Sequence, residues 1–554
     1  MATVIESEDR IPIEESFKVS AGPGAGKTHW LTGHIKDVIA HSKRLGPVKK
    51  VACITYTNVG TDTIQRRLRY ENDCVEVATI HSFLFANVVK PYAHLIAGDI
   101  GLKTENMIVV DESNYMSQGL AAALLQTMGK GWIDTGQYSN ALAMCRWRYD
   151  NHQFVGFKPL YPQIAVPGKK YKIPNDAYTF YKRHLWKQGE LSYDDILYVS
   201  SLIFDQFPYV YTLLKAKYPY FFVDEFQDTI PFVVDFLTRM GNEGTVVGVV
   251  GDKAQAIYEF VGATARQFDI FTVPGMQKYE IHGNRRSTLQ IVNLLNAIRT
   301  EFQQEHLSGL TGEAPVLLVG DMLDCYQKSL EVSGTDDVRS LSFPNIIANS
   351  MRTRNGARAA VNILDEDFDR DVTRQFVVKV LIKSVEYARM SDLRNAWHQM
   401  DMIDEDRTKT IVLLRRLLMG YDQYKNGTLM DFYNFVNVQL GLELKGFRKG
   451  DSKTFYETHF YLDAALGVKG ADADTKHKTI HKSKGDEFDN VFVVLNEEAD
   501  MSFMLAPQLN DNVAHRVYYV GISRAVRRLF VNTPTLSAEN EQAVAALPIR
   551  VERI

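Results

Sequence analysis

Short apolar runs that end on glycine or an acidic residue alternate along this chain with stretches of helical period. "SFKVSA" (16–21) has the β-branched and aromatic content of a short strand. "THWLTGHIKDVIAH" (28–41) then carries apolar residues at helical spacing. Similar runs stand at "MIVVDES" (107–113), "YPYFFVDEFQDT" (218–229) and "VVGVVGDKAQ" (246–255), each placing carboxylates just after a buried strand. "TKTIVLLRRLLMGYDQYKNG" (408–427) reads as helix. Strand–loop–helix units of this kind predict an α/β protein with mainly parallel sheets.

Composition narrows the class. The 554 residues allow several domains, and 45% hydrophobic with 23% charged content is ordinary for a globular chain. A net charge of -4 leaves nucleic acid open, because a strand-gripping protein needs one basic groove and not a basic whole. Cys53, Cys74, Cys145 and Cys325 lie far apart, which excludes a sequence-local zinc or iron–sulfur site and gives no disulfide framework. The acidic, polar N-terminus is neither a signal nor a transit peptide, and no apolar stretch approaches 18 residues. A cytoplasmic protein without membrane contact is expected.

The candidate chemistry begins between the first strand and helix. In "SAGPGAGKTHWL" (20–31), Gly22, Gly24 and Gly26 let backbone N–H groups turn toward a phosphate, with Ala21 and Ala25 in the same loop. The following helix offers its N-terminus to the same anion. Lys27 would reach the β- and γ-phosphates and Thr28 would hold Mg²⁺. The strict phosphate-loop pattern fails at Ala21, so a glycine-rich turn with a chance lysine is the competing reading. A partner carboxylate has two candidates on spacing alone: Asp111 with Glu112, or Asp224 with Glu225.

The surrounding segments decide between them. "ITYTNVGTDTIQRRL" (54–68), "VATIHSFLF" (77–85), "GDKAQAIYEF" (251–260), "IHGNRRSTLQIVN" (281–293), "KTIHKSKGDEFDNVFVV" (478–494) and "HRVYYVGISRAVRRLFV" (515–531) follow in a fixed order. The chain resembles superfamily 1 helicases of the UvrD/Rep/PcrA type, whose phosphate loop accepts alanine first. The resemblance implies two RecA-like domains with ATP and Mg²⁺ between them, each domain carrying a mostly helical insertion. It implies Asp224 for Mg²⁺, Glu225 as the base orienting water, Gln255 as the γ-phosphate sensor, and Arg286 and Arg524 as arginine fingers. Glu487, just past Gly485, matches the ribose contact. Tyr56, Tyr258 and Phe260 match aromatics that stack on single-stranded bases. Thr57, Asn58, Thr79, His81, Thr479 and His481 match polar residues beside the strand. Asp111 and Glu112 then fall in an insertion.

The implied layout runs 1–90 and 190–275 for the first domain, with "LSYDDILYVSSLIF" (191–204) opening its return, and 91–189 for its insertion. The second domain takes 276–360 and 470–554, with an insertion at 361–469. Departures fall at the base and at the strand. No glutamine precedes the phosphate loop, Arg285 replaces the adenine-stacking tyrosine and His29 replaces a basic residue. Val59 and Val261 stand where cations are usual. Relaxed base selectivity and a weaker grip on the strand are therefore expected. Finally, "TIHSFLFANVVKPY" (79–92) resembles the UvrD-like helicase subunit of Gabija antiphage systems, which implies an OLD-family nuclease/ATPase partner and single-stranded or tailed DNA as substrate. A nucleotide-hydrolysing switch that senses DNA for such a nuclease is the alternative.

Overall fold

Two large sheets, parallel throughout, organise the computed structural model, which describes residues 2–68, 73–110, 118–131, 133, 135–143, 145–159, 163–166, 169–259, 262, 265–335, 337–353, 362–404, 406–468 and 476–554. The first sheet is seven-stranded. In chain order its strands are β1 (Thr3–Val4), β2 (Phe17–Ala21), β3 (Val51–Thr55), β4 (Val75–Thr79), β5 (Tyr220–Val223), β6 (Val246–Gly251) and β7 (Gln277–Ile281). In space they run β1-β7-β2-β6-β5-β3-β4. The second sheet is six-stranded, built from β8 (Val316–Val319), β9 (Val338–Ser342), β10 (His477–Thr479), β11 (Phe488–Val494), β12 (Ala525–Thr533) and β13 (Arg550–Arg553). Its spatial order is β10-β9-β11-β12-β8-β13. Both are RecA-like in layout.

The continuous apolar runs have a simple cause: both faces of each sheet are covered. In β3, Val51 and Cys53 enter one core while Ala52 and Ile54 enter the other. In β5, Tyr220 and Phe222 face the first of these cores, and Phe221 and Val223 the second. The second sheet repeats the division, with Val491 and Val493 on one side of β11 and Phe492 and Val494 on the other. Truncating one such buried ring, as in Phe222→Ala, is expected to cost about 3–5 kcal/mol.

One expected limit moves. The strand Gln277–Ile281, assigned above to the second domain, pairs along β2 from Phe17 to Ala21 and so belongs to the first sheet. It covers the side of β2 that would otherwise be open, and β1 pairs onto it in turn. A short, half-polar strand gave the sequence reading no signal of which sheet it would join.

The intervening segments differ in character. Between the sheet strands β4 and β5, helices Gln118–Thr127, Thr135–Ala143 and Asn175–Trp186 surround a small core of their own. Two antiparallel hairpins accompany them, Cys145–Asp150 with Gln153–Pro159 and Gln163–Val166 with Lys169–Lys172. Residues 362–468 are helical, around an aromatic core that includes Tyr424, Phe432, Tyr456 and Tyr461. The run at 408–427 forms helices Arg407–Met419 and Tyr421–Tyr424. Asp111 and Glu112 lie outside the described residues. No described helix is long and apolar enough to cross a membrane.

Candidate nucleotide cleft and strand groove

Because every strand of the first sheet points the same way, the loops after β2, β3, β4, β5 and β6 all emerge at one edge, where ligands of open α/β sheets bind. The loop after β2 leads into helix Lys27–His41. Gly24 and Gly26 have φ of +70° and +81°, the left-handed region that favours glycine. A Cβ on Gly24 would also lie 2.8 Å from Arg286 Cβ, so the second half of the molecule closes directly onto this turn.

Thr28 Oγ1 donates to Asp224 Oδ2 at 2.8 Å, joining the helix start to the end of β5. Lys27 Nζ donates to the Ala21 carbonyl at 3.3 Å. A hydroxyl and a buried carboxylate are hard oxygen donors of the kind Mg²⁺ takes, so these two residues fit that ion. Glu225 follows in a left-handed conformation, φ 53°, unusual for a residue with a side chain. Gln227 Nε2 donates to its carboxylate at 2.5 Å, and Gln227 Oε1 accepts from the Asp252 N–H at 2.9 Å. Gly251 permits this: a Cβ there would sit 2.4 Å from Gln227 Oε1.

The electrostatics separate the two neighbouring carboxyls. Burial and the Glu225 charge raise Asp224, against the Thr28 hydrogen bond. Burial also pushes Glu225 up, but Lys27, Lys484, the Gln227 bond and Arg524 outweigh it and hold Glu225 ionised. Burial, with the Arg286 charge beside it, lowers Arg524 to about 9, which leaves it protonated at neutral pH.

Residues from the second half complete a cleft of about 310 Å³. Arg286 pairs with Glu487 at 2.5 Å and donates to the Ser523 carbonyl at 3.0 Å, while its buried Nε has no acceptor among the described residues. Arg524 donates to Gln255 Oε1 at 3.2 Å. Gly485 and His29 also line the cleft. His29 Nε2 lies 3.0 Å from Glu8 Oε1, and Arg285 donates to Ser7 Oγ at 2.9 Å and to Glu6 at 3.1 Å. Thr63 and Arg67, one turn apart on helix Asn58–Arg67, reach the same cleft. The sequence reading missed both: their i, i+4 spacing puts them on one face of the helix, but only the helix's placement brings that face to the cleft.

A second cavity, about 470 Å³, lies on the other side of Asp224 and Glu225. Tyr56, Thr57, Asn58, Thr79 and His81 all line it. Thr57 and Thr79 cap the helices that follow them, accepting from Gly60 N and Ser82 N. Burial lowers His81 to about 4, so it is neutral at pH 7. Tyr56 and Tyr258 stack on each other at 4.8 Å, and Tyr258 donates to the His481 carbonyl at 3.1 Å. Lys484 pairs with Asp228 and sits over the Tyr258 ring. Thr479 is buried at the end of β10. Phe260 and Val261 lie outside the described residues.

Comparison with known proteins agrees with this geometry. Residues 6–273 match the UvrD/REP helicase N-terminal domain, and residues 471–535 match the UvrD-like helicase C-terminal domain. The chain is of the superfamily 1, UvrD type. It is 24% identical over 327 residues to the ATP-dependent DNA helicase srs2 of Schizosaccharomyces pombe, covering 55% of this chain and 36% of that protein. To the ATP-dependent DNA helicase Rep of Escherichia coli it is 23% identical over 290 residues, covering 50% and 40%. To the ATP-dependent DNA helicase UvrD1 of Mycobacterium tuberculosis it is 26% identical over 378 residues, covering 62% and 46%. This UvrD-type chain thus spans less than half the length of each of these relatives.

Proposed function

We propose that the chain is an ATP-driven translocase or helicase moving 3′ to 5′ on single-stranded DNA. The observation that carries the reading is the convergence, in one cleft, of Lys27, Thr28 and Glu225 from the first sheet, with Asp224 bonded to Thr28, and of Arg286 and Arg524 from the second half. On this reading Thr28 and Asp224 hold Mg²⁺, which when bound neutralises charge on the β- and γ-phosphates. Glu225, ionised, orients the attacking water. Lys27 and the backbone N–H groups of Gly22 to Gly26 seat the phosphates, and Glu487 with Gly485 meets the ribose. Arg286 and Arg524 stabilise charge on the transferred phosphoryl group, which draws the two sheets together. Gln255 reports that closure to the groove lined by Tyr56, Thr57, Asn58, Thr79 and His81, with Tyr258, Phe260, Thr479 and His481 completing the strand's path. The domain limits given above, with the first sheet extended to Ile281, are part of the proposal.

The base site supports a nucleotide less strictly adenine than usual. Arg285 and His29 line the cleft but are already engaged, Arg285 by Glu6 and Ser7 and His29 by Glu8. A nuclease partner of the OLD type in antiphage defence is supported by the resemblance of residues 79–92. A second reading, a DNA-sensing switch with little unwinding, is favoured by Val59, which is 64% exposed where a cation would grip the backbone.

Two assays on the full chain test the proposal: hydrolysis stimulated by single-stranded DNA, and displacement of a 3′-tailed duplex. Stimulated hydrolysis with displacement supports the motor. Stimulated hydrolysis without displacement moves the chain to the switch, and no hydrolysis of any nucleotide overturns both.

A further inference from the structure

Hairpin Cys145–Asp150/Gln153–Pro159 packs against helices Asn175–Trp186 and Tyr193–Gln206 and leaves a third cavity of about 290 Å³ between them. Its walls are aromatic. Trp147 stacks on Tyr198 at 3.8 Å and 5°, and Trp186 lies parallel to both, at 6.3 Å and 5.9 Å. Phe154 and Phe157 close the hairpin side. A Cβ on Gly156 would meet nothing within 4 Å, so the wall is open there.

The polar groups around these rings are selective. Among the described residues no carboxylate lines the cavity, which argues against an amine or a metal ion. Lys182 is 1% exposed, but its charge is compensated by Asp195 at 3.0 Å. Arg183 is exposed beside it and has no acidic partner among the described residues. Its charge reaches Tyr198, where it offsets part of the burial that raises the phenol. Asn175 and Thr179 add an amide and a hydroxyl. Trp186 is 4% exposed and its indole N–H has no acceptor among the described residues. Trp147 is itself held between Tyr198 at 3.8 Å and Phe157 at 4.2 Å, so a ligand enters beside this stack and not within it. An aromatic lining, a guanidinium without an acidic partner and no carboxylate among the described lining residues describe a place for a planar ring carrying negative charge. The size is close to the lower end of small-ligand sites, roughly 300 Å³.

We infer that this cavity is a second nucleotide-binding site, taking one nucleobase among the aromatic rings with its 5′-phosphate at Arg183. The base arrives either as a free mononucleotide or as one residue of a DNA strand. The strand source rests on the proposed function: Arg146 and Asp194 line the strand groove, and their neighbour Trp147 lines this cavity, so the hairpin strand separates the two.

The test uses the full chain with its main cleft saturated by Mg²⁺ and a non-hydrolysable ATP analogue. Two probes carry 2-aminopurine, whose fluorescence is lost on stacking: the riboside 5′-monophosphate, and an oligonucleotide with one internal 2-aminopurine. Saturable quenching is expected for at least one probe. T179F, which fills the cavity from a half-buried helix position, should abolish it, and R183E should weaken it at least about tenfold. T179F-sensitive quenching of the free monophosphate assigns a soluble ligand; T179F-sensitive quenching of the oligonucleotide alone assigns the strand. T179F should leave hydrolysis in the absence of DNA within about twofold and the thermal midpoint within a few degrees, which shows that it is folded. Absence of T179F-sensitive quenching in both arms, with hydrolysis intact, overturns the inference. Retained quenching in a chain that hydrolyses nothing leaves this site standing and removes the motor.

Discussion

Gln255 accepts a hydrogen bond from Arg524 at 3.2 Å, and this contact ties the first sheet to the second. Gln255 Nε2 in turn donates to Asp252 at 2.7 Å, the Asp252 N–H to Gln227 at 2.9 Å, and Gln227 Nε2 to Glu225 at 2.5 Å. A continuous relay therefore runs from the carboxylate that would orient water, through the proposed sensor Gln255, to the arginine that would stabilise charge on the transferred phosphoryl group. A sheet-to-sheet movement that breaks the Arg524 contact disturbs the same glutamine that anchors the relay.

Arg524→Ala should lower DNA-stimulated turnover about 10³-fold or more, the scale of an arginine finger, with a smaller change in nucleotide affinity. Arg524→Lys restores charge but not the planar fork, and should recover little. Steady-state turnover and analogue binding, measured side by side, check this. A variant that loses affinity and keeps turnover would make Arg524 a binding residue only.

Glu225→Gln keeps the shape of the side chain and removes its charge. Turnover should fall by about 10²–10⁴ while analogue binding stays within a few-fold. The strained φ of 53° is set by the backbone between Asp224 and Gln227, so the substitution should unfold nothing. Wild-type turnover in this variant would pass the role to another group.

Much of this was legible beforehand because parallel strands write themselves as continuous apolar runs. The runs at 218–223 and 246–251 became adjacent strands, and the residues just past them became the site. The carboxylate choice was not legible from spacing, since Val109-Val110-Asp111 and Phe222-Val223-Asp224 look alike; the flanking motifs made it. Three features lay out of reach. Gln277–Ile281 joined the first sheet by long-range pairing, Thr63 and Arg67 enter the cleft through the placement of one helix, and Glu6, Ser7 and Glu8 of the N-terminal segment meet Arg285 and His29.

Acid stability offers a separate check on the helix that carries the phosphate loop. His34 is 4% exposed, stacked on Trp30 and edge-on to Phe17, with Nε2 unpaired. Burial lowers its pKa to about 4, below its usual 6.5. The unfolded chain therefore binds the proton more readily, and stability is lost as pH falls from 6.5 toward 4. Between pH 7 and 5 this group alone should remove about 2 kcal/mol. In His34→Phe the denaturation midpoint should fall less over that range; an unchanged pH slope would refute the assignment.

Nucleotide selectivity should follow the altered base site. With Arg285 engaged by Glu6 and Ser7, GTP and CTP should be hydrolysed at no less than about a tenth of the ATP rate, a gap of roughly 1.4 kcal/mol. Arg285→Tyr should widen that gap in favour of ATP. Turnover of GTP and CTP below about a hundredth of the ATP rate would show that adenine is read elsewhere.

Val59 is the most direct handle on the strand. It is 64% exposed at the start of helix Asn58–Arg67, next to Asn58 and Thr57, which line the groove. A lysine there would add one phosphate contact. Val59→Lys should tighten single-stranded DNA binding at low salt and steepen the dependence of log affinity on log salt by about 0.7, the single-strand value per phosphate. Cleft residues are untouched, so turnover without DNA should not change. If Val59 limits grip, duplex displacement by Val59→Lys rises along with affinity. If the chain is a switch, affinity rises and displacement stays absent, and fluorescence anisotropy beside a displacement assay separates the two. An unchanged salt slope would place the strand away from this helix altogether.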